Sequence, residues 1–242
     1  MPENNSNTIM LGRLRSVSTA TIANVLLKLG FKNVVLQGVT ILDRAAERMA
    51  GPAYTLRFIP SREDLDSMDN YAREDNMHRR AIEECPSGSV LIIDAGGSSA
   101  ASSAGDVMAA RLKYRGVAGI VTDGGYRDTN GVRATGLPAY QTATATPATV
   151  IALHPITLNG PIGCAGVSVY PGDIIVGDAD GVVVIPAHVA QETAKVAFGI
   201  AQYEEFVDMK IEKGRSIFGL FPATKESKAE FDTWALAGKP QD

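Results

Sequence analysis

The chain has 242 residues, of which 45% are hydrophobic and 21% charged, a composition typical of a globular protein with a sizeable core. Its formal net charge is −4, from 23 basic and 27 acidic residues, so no positive excess is available to bind nucleic acid phosphates. Two cysteines, Cys85 and Cys164, are too few for a disulfide scaffold and favour a reducing compartment. Because the sequence shows neither a secretory signal nor a membrane-length apolar run, we expect a cytoplasmic protein that contacts no membrane.

The first predicted helix begins at Ser18 or Thr19 and ends before Gly30. Its apolar residues recur at helical spacing, at Ile22, Val25, Leu26 and Leu29, and the serine or threonine supplies the cap. The polar residues before this helix are expected to be frayed. The stretch from Ser61 to Glu84 is rich in charge and predicts a loop that leads into a surface helix.

From Ser89 onward, short apolar runs alternate with Gly, Asp, Pro and Thr, the pattern of strands joined by turns. The runs are VLIID, AGIVTD, PAYQTA, GCAGVSV, DIIVGD and GVVVIP. One helix, from about Ala104 to Arg115, interrupts them and is ended by Gly116. The middle of the chain therefore predicts an α/β fold.

Past Pro186 the pattern is helical again up to Gly214. An apolar stripe at helical spacing predicts its buried face, and Thr193 is the one polar position on that face. The apolar residues of the stripe are Val189, Val196, Ile200, Tyr203 and Val207. The tail from Ile217 to Trp234 is apolar enough to predict docking on its own chain or on a neighbour. We find no repeat or linker, so residues 1–242 are predicted to form a single domain, with residues 187–242 as a helical C-terminal extension.

The segment from Asp94 to Asp106, DAGGSSAASSAGD, follows a predicted strand and precedes a predicted helix. Its small residues let the backbone approach a ligand, and the amides at a helix start favour an anion. It matches neither G-x-G-x-x-G nor a phosphate loop ending in Gly-Lys-Ser/Thr. We expect a small carboxylate to bind here, and the alternative is a tight strand-to-helix turn. The expected amides are those around Gly105, Asp106, Val107 and Met108.

Arg127 and Asp128 lie shortly after the apolar run AGIVTD. A guanidinium offers a planar fork to a carboxylate, and a carboxylate offers a hard oxygen ligand to Mg²⁺. The separation of Asp106 from Arg127 allows a helix crossover between neighbouring strands, whose carboxyl ends commonly bind ligands. We therefore expect Asp106, Arg127 and Asp128 to converge, and the alternative is an exposed, weak ion pair.

The remaining candidate motifs give less support for a catalytic or metal-binding site. Asp178-Ala-Asp-Gly181 lacks the further oxygens of a calcium loop and predicts a hairpin turn. His78, His154 and His188 have no metal-ligand spacing. No cysteine–histidine pair or G-x-S-x-G elbow is visible. No lysine lies inside an apolar strand, where a Schiff-base lysine would be expected.

Three segments together resemble the RraA-like family, named for the regulator of ribonuclease activity A: CPSGSVLIIDAGG, AGDVMAARLKYRGVAGIVTDGGYRD and PGDIIVGDADGVVVIP. That family also contains 4-hydroxy-4-methyl-2-oxoglutarate and 4-carboxy-4-hydroxy-2-oxoadipate aldolases. The resemblance runs from about Val17 to Pro186. It implies a compact β/β/α, swivelling-domain-like core with N- and C-terminal helices. It also implies a homotrimer or homohexamer with sites between subunits.

In the aldolase branch, the resemblance implies that pyruvate or its enolate binds on a divalent metal. Arg127 would contact the substrate carboxylate and act in catalysis, and Asp128 would hold the metal. Asp106 would lie in the metal's water shell and move a proton, while the amides from Gly105 to Met108 would hold the substrate. Because oxygen ligands suit both ions, Mg²⁺ or Mn²⁺ is expected. An acidic residue of a neighbouring subunit often completes the site; the candidates are Glu204, Glu205 and Asp208.

The sequence therefore predicts a metal-dependent carbon–carbon lyase that acts on small 2-keto acids: 4-hydroxy-2-keto acids and oxaloacetate. A metal ion stabilises the enolate that both reactions form. The chain differs from the shorter regulator proteins in keeping an acidic residue at Asp106 and in carrying its C-terminal extension. The rival hypotheses are a non-catalytic protein that binds and inhibits a ribonuclease, and a small-molecule-binding protein without activity.

Overall fold

The computed structural model describes residues 2–239 and shows the predicted α/β fold with helices at both ends of the chain. The last three residues of the predicted extension lie outside the described residues. Eight α-helices are described: α1 (Pro2–Ser16), α2 (Thr19–Lys28), α3 (Met68–Ala72), α4 (Met77–Glu84), α5 (Asp106–Tyr114), α6 (Thr129–Ala134), α7 (Ala190–Glu212) and α8 (Lys225–Leu236). In this part of the chain no helix combines the length and apolar character needed to cross a bilayer.

Every apolar run that was predicted to form a strand does so, and the structure contains further strands. In chain order they are β1 (Thr40–Ile41), β2 (Met49–Pro60), β3 (Val90–Asp94), β4 (Ser102–Ala104), β5 (Gly119–Thr122), β6 (Gly125–Tyr126), β7 (Ala139–Gln141), β8 (Ala143–Thr144), β9 (Leu153–Leu158), β10 (Ile162–Cys164), β11 (Val167–Val169), β12 (Ile174–Gly177) and β13 (Val182–Ile185). Short 3-10 helices cover Thr149–Ile151 and Ala187–Val189.

The main sheet has the strand order β1-β7-β5-β3-β2-β12-β13, and β9 also pairs with β2. Strands β2, β3, β5 and β7 are parallel neighbours, whereas β12, β13 and β9 run antiparallel to their partners. Parallel neighbours need crossover connections, and here the crossovers carry α4, α5 and α6. A second, three-stranded parallel sheet, β4-β6-β8, lies beyond the carboxyl ends of β3, β5 and β7 in the chain.

Strand β2, the longest strand, has no counterpart among the patterns that the sequence analysis recognised. Gly51, Pro52 and Pro60 interrupt its apolar pattern, and such residues normally weaken a strand prediction. Gly51 is needed because a Cβ atom there would overlap the carbonyl oxygen of Gly88. This strand nevertheless pairs with β3 on one edge and with β12 and β9 on the other, so it joins the two halves of the sheet.

The N-terminal segment is helical rather than frayed, and this corrects the sequence prediction. Helix α1 is polar on average, but Met10 and Leu14 are buried, and the helix packs against α7. Tertiary packing therefore stabilises a helix that its own pattern does not predict. The next helix is confirmed: the Ser18 side chain accepts a hydrogen bond from the Thr21 amide and caps α2.

Helix α7 is confirmed, and its predicted stripe is correct except at Val196: Val207 and Thr193 are buried, and Val189, Ile200 and Tyr203 are partly buried against the core clusters. Val196 is 43% exposed, whereas small residues one turn apart are buried against α1, α2 and the β12–β13 strands: Ala190, Thr193, Ala194 and Ala197. Alanines let neighbouring helices approach closely, and a count of large apolar residues misses such a face. Farther along, Leu220 and Trp234 of the tail pack on Phe206, so the tail docks on its own chain.

The Asp178 turn is the predicted hairpin between β12 and β13, and it also anchors the N-terminal helices. Buried Asp178 accepts hydrogen bonds from the Thr19 amide and hydroxyl, at 2.8 and 2.7 Å, and from the Asp180 amide at 2.9 Å. One carboxylate thus fixes the turn and the first residue of α2 together.

We expect Asp178→Ala to lower the free energy of unfolding by about 2–4 kcal/mol, because it leaves buried donors of Thr19 unsatisfied. Urea unfolding followed by circular dichroism measures the loss. Asp180→Ala is the matched control: Asp180 is exposed, and its replacement should change stability by less than about 0.5 kcal/mol. Equal effects from the two variants would contradict the anchoring role.

Candidate functional site

The candidate site is built where two chain segments, β4–α5 and β6–α6, lie side by side. The amide of Arg127 donates a hydrogen bond to the carbonyl oxygen of Ala104, at 3.1 Å. This bond continues the β4–β6 pairing and places the start of α5 beside Arg127. The segment from Asp94 to Asp106 is therefore not one tight turn, as the alternative prediction had it, because β4 forms within it.

Glycines without room for a side chain let the segment at β6 pack closely against the loop before β4 and against β8. A Cβ atom at Gly124 would lie 2.7 Å from both the Ala95 Cβ and the Ser98 oxygen. One at Gly125 would lie 2.7 Å from the Ala143 oxygen. Such separations are far inside van der Waals contact, so Gly-Gly after β5 is a packing requirement.

The residues predicted for the site line a single cleft of about 220 Å³, which we call the Arg127 cleft. The structure thus brings together all six of them: Gly105, Asp106, Val107, Met108, Arg127 and Asp128. Residues that the sequence did not indicate close the other side, among them Met68 and Tyr71 of α3 and Thr149. A concave site with converging polar groups is the usual form of a small-molecule site.

Arg127 and Asp128 form an ion pair, with 2.7 Å between Arg127 Nε and Asp128 Oδ2. Both side chains are about half exposed, at 45% and 46%, so the pair contributes little to stability. The exposed ion pair considered as the alternative is therefore present, but it lies in the wall of the cleft. Asp128 also has φ 52° and ψ 41°, a left-handed conformation that non-glycine residues adopt at a cost and often at functional positions.

Helix α5 presents the amides of its first turn to the cleft. The first helical hydrogen bond is donated by Ala109 to Gly105, so the preceding amides have no intrahelical acceptor. The sequence analysis expected four such amides, but the Val107 amide donates to the Asp106 carboxylate at 2.8 Å. Gly105 packs closely on Arg127: a Cβ atom there would lie 3.1 Å from Arg127 Cγ, a tight contact that the arginine side chain would have to relieve by a small shift.

Two residues that shape the site were missed by the sequence analysis. Gly131 of α6 packs against Asp106: a Cβ atom there would lie 2.7 Å from the Cβ and from Oδ2 of Asp106. Tyr71 lines the cleft, and burial raises the pKa of its phenol, although the charges of Arg79 and Arg127 oppose this. Neither residue has a local sequence signal, because each contributes only through contacts with distant segments.

The donors for a metal ion in the cleft are carboxylates. Within residues 2–239, no group of three or more His, Cys, Asp or Glu side chains is arranged to hold a metal. Asp106 and Asp128 nevertheless line one cleft, and Mg²⁺ commonly binds through one or two carboxylates, with water and substrate oxygens as its other ligands. The residues present therefore fit a divalent ion that also needs oxygen atoms from its substrate.

Other candidate groups lie elsewhere in the described chain. Burial raises the pKa of the Cys85 thiol to about 12 and that of Cys164 well above its usual range, so both thiols are neutral. Glu204, Glu205 and Asp208 of α7 line a separate groove with Arg48. In one chain, these three do not belong to the lining of the Arg127 cleft.

The sequence profile of the Aldolase/RraA family, described as RraA-like, matches residues 19–184. The chain belongs to the RraA-like family. Among solved RraA-like structures, that of Streptomyces coelicolor RraAS2 is 37% identical, with a TM-score of 0.71 over 83% of this chain and 96% of that one. That protein is described as an unusual member of the RNase ES inhibitor RraA protein family.

Two further proteins are similar to this chain, one in sequence and one in fold. A Halalkalibacterium halodurans protein, which provisionally carries the name 4-hydroxy-4-methyl-2-oxoglutarate aldolase, is 38% identical over 143 residues. That match covers 58% of this chain and 60% of the relative, so less than two thirds of the relative is spanned. An uncharacterized Pseudomonas syringae protein, 23% identical, shares the fold with a TM-score of 0.78 over 89% of this chain and 93% of its own.

We expect Gly131→Ala to destabilise this RraA-like protein by about 1–3 kcal/mol, because the new methyl group overpacks against Asp106. The matched control is Gly199→Ala in α7, where a Cβ atom would meet nothing within 4 Å. There alanine should stabilise the helix by about 0.5–1 kcal/mol. Thermal melts of the two variants should therefore shift in opposite directions, and a shift of both to higher temperature would show that Asp106 is not held against Gly131.

Proposed function

We propose that the protein is a divalent-metal-dependent lyase. It would cleave 4-hydroxy-2-keto acids of the 4-hydroxy-4-methyl-2-oxoglutarate and 4-carboxy-4-hydroxy-2-oxoadipate type, and it would also decarboxylate oxaloacetate. The observation that carries this proposal is the meeting of Arg127, Asp106 and Asp128 with the first turn of α5 in one cleft. The names of its relatives support the coarser statement, that the family includes aldolases.

Substrate binding follows from the charges that face the cleft. The Arg127 guanidinium is half exposed and can turn a pair of N–H groups toward a carboxylate. The amides at the start of α5 add partial positive charge on the same side. Together they would hold the carboxylate of a 2-keto acid and fix the direction in which the rest of the substrate points.

Cleavage breaks the bond between C3 and C4 of the substrate. Its electron pair remains on C3 and forms the enolate of pyruvate, while the C4 hydroxyl loses its proton and becomes a carbonyl group. The enolate then takes a proton at C3, so no oxidant or reductant is needed. Arg127 opposes the negative charge that develops, and Asp106, on the cleft wall, would hold or move the proton.

Asp128 is the residue that would hold the divalent ion, and Asp106, in the lining of the same cleft, would face the ion's water shell. When bound, the ion supplies Lewis-acid stabilisation of the developing enolate charge. None of the residues that line the Arg127 cleft is a lysine, which agrees with a mechanism that does not use a Schiff base. Mg²⁺ and Mn²⁺ both suit these oxygen donors.

A second candidate function is favoured by one comparison. The likeness to RraAS2, from a family of RNase ES inhibitors, favours a protein that binds and inhibits a ribonuclease. Such a role places no requirement on Arg127 or Asp128, so substitutions there would leave inhibition of a ribonuclease unchanged.

We also propose that the chain assembles as a homotrimer or homohexamer. A monomeric mass measured by light scattering would contradict this proposal.

With oxaloacetate as substrate, we expect pyruvate release to stop on addition of EDTA and to return with Mg²⁺ or Mn²⁺. Coupling to lactate dehydrogenase measures the rate. Borohydride added with substrate should leave the protein mass unchanged, because no imine forms. A trapped lysine adduct in the mass spectrum would contradict the metal-dependent mechanism, and absence of all turnover with either metal would contradict the lyase proposal.

Replacing the three site residues should have distinguishable effects. Arg127→Lys keeps the charge but removes the planar fork, and loss of such stabilisation typically lowers kcat by about 10²–10³-fold. Asp128→Ala should weaken metal affinity, so that high Mn²⁺ restores part of the rate. Asp106→Asn should lower kcat with little change in KM. Steady-state kinetics at varied metal concentration measures all three, and wild-type rates throughout would show that the site lies elsewhere.

A further inference from the structure

Tyr71 of α3 lies on the side of the Arg127 cleft that the sequence analysis did not indicate. Its hydroxyl makes no hydrogen bond with the described part of the chain. It is not one of the unpartnered oxygens that the fold encloses completely, so a ligand can reach it. On the same side of the cleft, Thr149 already donates to the Ser102 carbonyl oxygen at 2.7 Å, and Met68 is apolar. The Tyr71 phenol is therefore a free donor for a ligand.

Packing fixes the direction of the Tyr71 ring. The ring lies edge-on to His78, with 5.9 Å between the ring centroids, and His78 is fully buried and edge-on in turn to Phe58. The Tyr71 amide donates to the Ser67 carbonyl oxygen at 2.9 Å, at the start of the short helix that Ser67 caps. Because backbone and ring are both held, the side chain loses little further freedom when it binds a ligand.

The charges that act on the Tyr71 hydroxyl are positive. Arg79 Nη1 donates to the carbonyl oxygens of Ala72 and Arg73, the two residues that follow Tyr71, so its guanidinium lies beside the end of α3. Burial raises the pKa of the Tyr71 phenol, and the charges that act on it within the described residues, those of Arg79 and Arg127, lower it. The hydroxyl is therefore a protonated donor in a positive potential, which favours an anion.

The substrates of the proposed function carry a second carboxylate. In 4-hydroxy-4-methyl-2-oxoglutarate the two carboxylates are C1 and C5, about 5 Å apart along an extended chain. In 4-carboxy-4-hydroxy-2-oxoadipate the additional carboxylates also lie beyond C3. When C1 is held at Arg127 and the start of α5, the second carboxylate meets the other side of the same cleft. Without a donor there, its loss of water would be costly.

We propose that Tyr71 is a specificity-determining residue whose hydroxyl donates a hydrogen bond to the second carboxylate of the substrate, in the positive field of Arg79. This inference rests on the proposed lyase function and assigns recognition of a dicarboxylate to a residue of α3. The contact is the same before and during cleavage, since the C5 carboxylate keeps its charge. Its contribution therefore appears in KM and not in kcat.

Two 2-keto acids without a C4 hydroxyl group, which cannot be cleaved, test this contact by binding alone. At C5, 2-oxoglutarate has a carboxylate and 2-oxopentanoate a methyl group. In calorimetry with Mg²⁺ present, we expect the wild type to bind 2-oxoglutarate about 10–100-fold more tightly, the worth of one hydrogen bond to a charged group. Tyr71→Phe should lose most of this preference.

Tyr114→Phe is the matched control for the binding experiment. Tyr114 is 83% exposed and lies outside the lining of the cleft, so its replacement should leave the ratio of the two dissociation constants unchanged. Equal affinities for both acids in the wild type, or a preference for 2-oxoglutarate that survives in Tyr71→Phe, would overturn the inference and leave the lyase function intact.

Turnover separates this inference from the lyase function itself. The substrates are 4-hydroxy-4-methyl-2-oxoglutarate and 4-hydroxy-4-methyl-2-oxopentanoate, which release pyruvate with a second pyruvate or with acetone. Tyr71→Phe should raise KM for the diacid by about 10–100-fold and leave its kcat, and both constants for the monoacid, unchanged. A fall in kcat for both substrates would overturn the inference. If the wild type cleaves neither substrate, the lyase function is overturned, and the affinities for the uncleaved acids still decide the role of Tyr71.

A second pair of variants tests the field of Arg79. Arg79→Met should lower the preference for 2-oxoglutarate by about two- to fivefold, because an exposed charge is screened by solvent. Arg80→Met is the control: Arg80 pairs with Glu84 and is not among the charges that act on Tyr71. Added KCl should weaken the preference of the wild type in the same direction. Equal ratios in the two variants would overturn the part assigned to Arg79.

Discussion

The hydrogen bond from the Arg127 amide to the Ala104 carbonyl oxygen is the contact on which the rest of the site depends. It joins two segments that leave neighbouring parallel strands, β3 and β5, and then enter different helices. Together with the β4–β6 pairing and the packing of Gly131 on Asp106, it fixes the start of α5 relative to Arg127. Gly105 lies closest to this contact, since a Cβ atom there would lie 3.1 Å from Arg127 Cγ. Backbone packing therefore determines where the side chains of the site are placed.

Much of this arrangement was predictable because it follows from local pattern. VLIID and AGIVTD are uninterrupted apolar runs, and ligand-binding residues are expected where such strands end, which located Asp106, Arg127 and Asp128. Strand β2 escaped prediction because Gly51 and two prolines break its pattern, and its pairing is decided by distant strands. Tyr71, Gly131 and the alanine face of α7 carry no local signal, since their roles exist only after packing. Sequence thus indicated six of the residues that line the cleft but not those that close its other side.

The packing of α7 on α1 and α2 has a consequence for synthesis of the chain. Gln191 bonds to Ser6 across 185 residues of sequence, so α1 is paired with a helix that is translated much later. Until then Leu14, Ile22 and Leu26, all fully buried in the finished fold, lack their final cover. Contacts of such long range slow folding, and exposed apolar surface invites association. The segment from α1 to α2 therefore exposes apolar surface to which a chaperone at the ribosome can bind until α7 has been made.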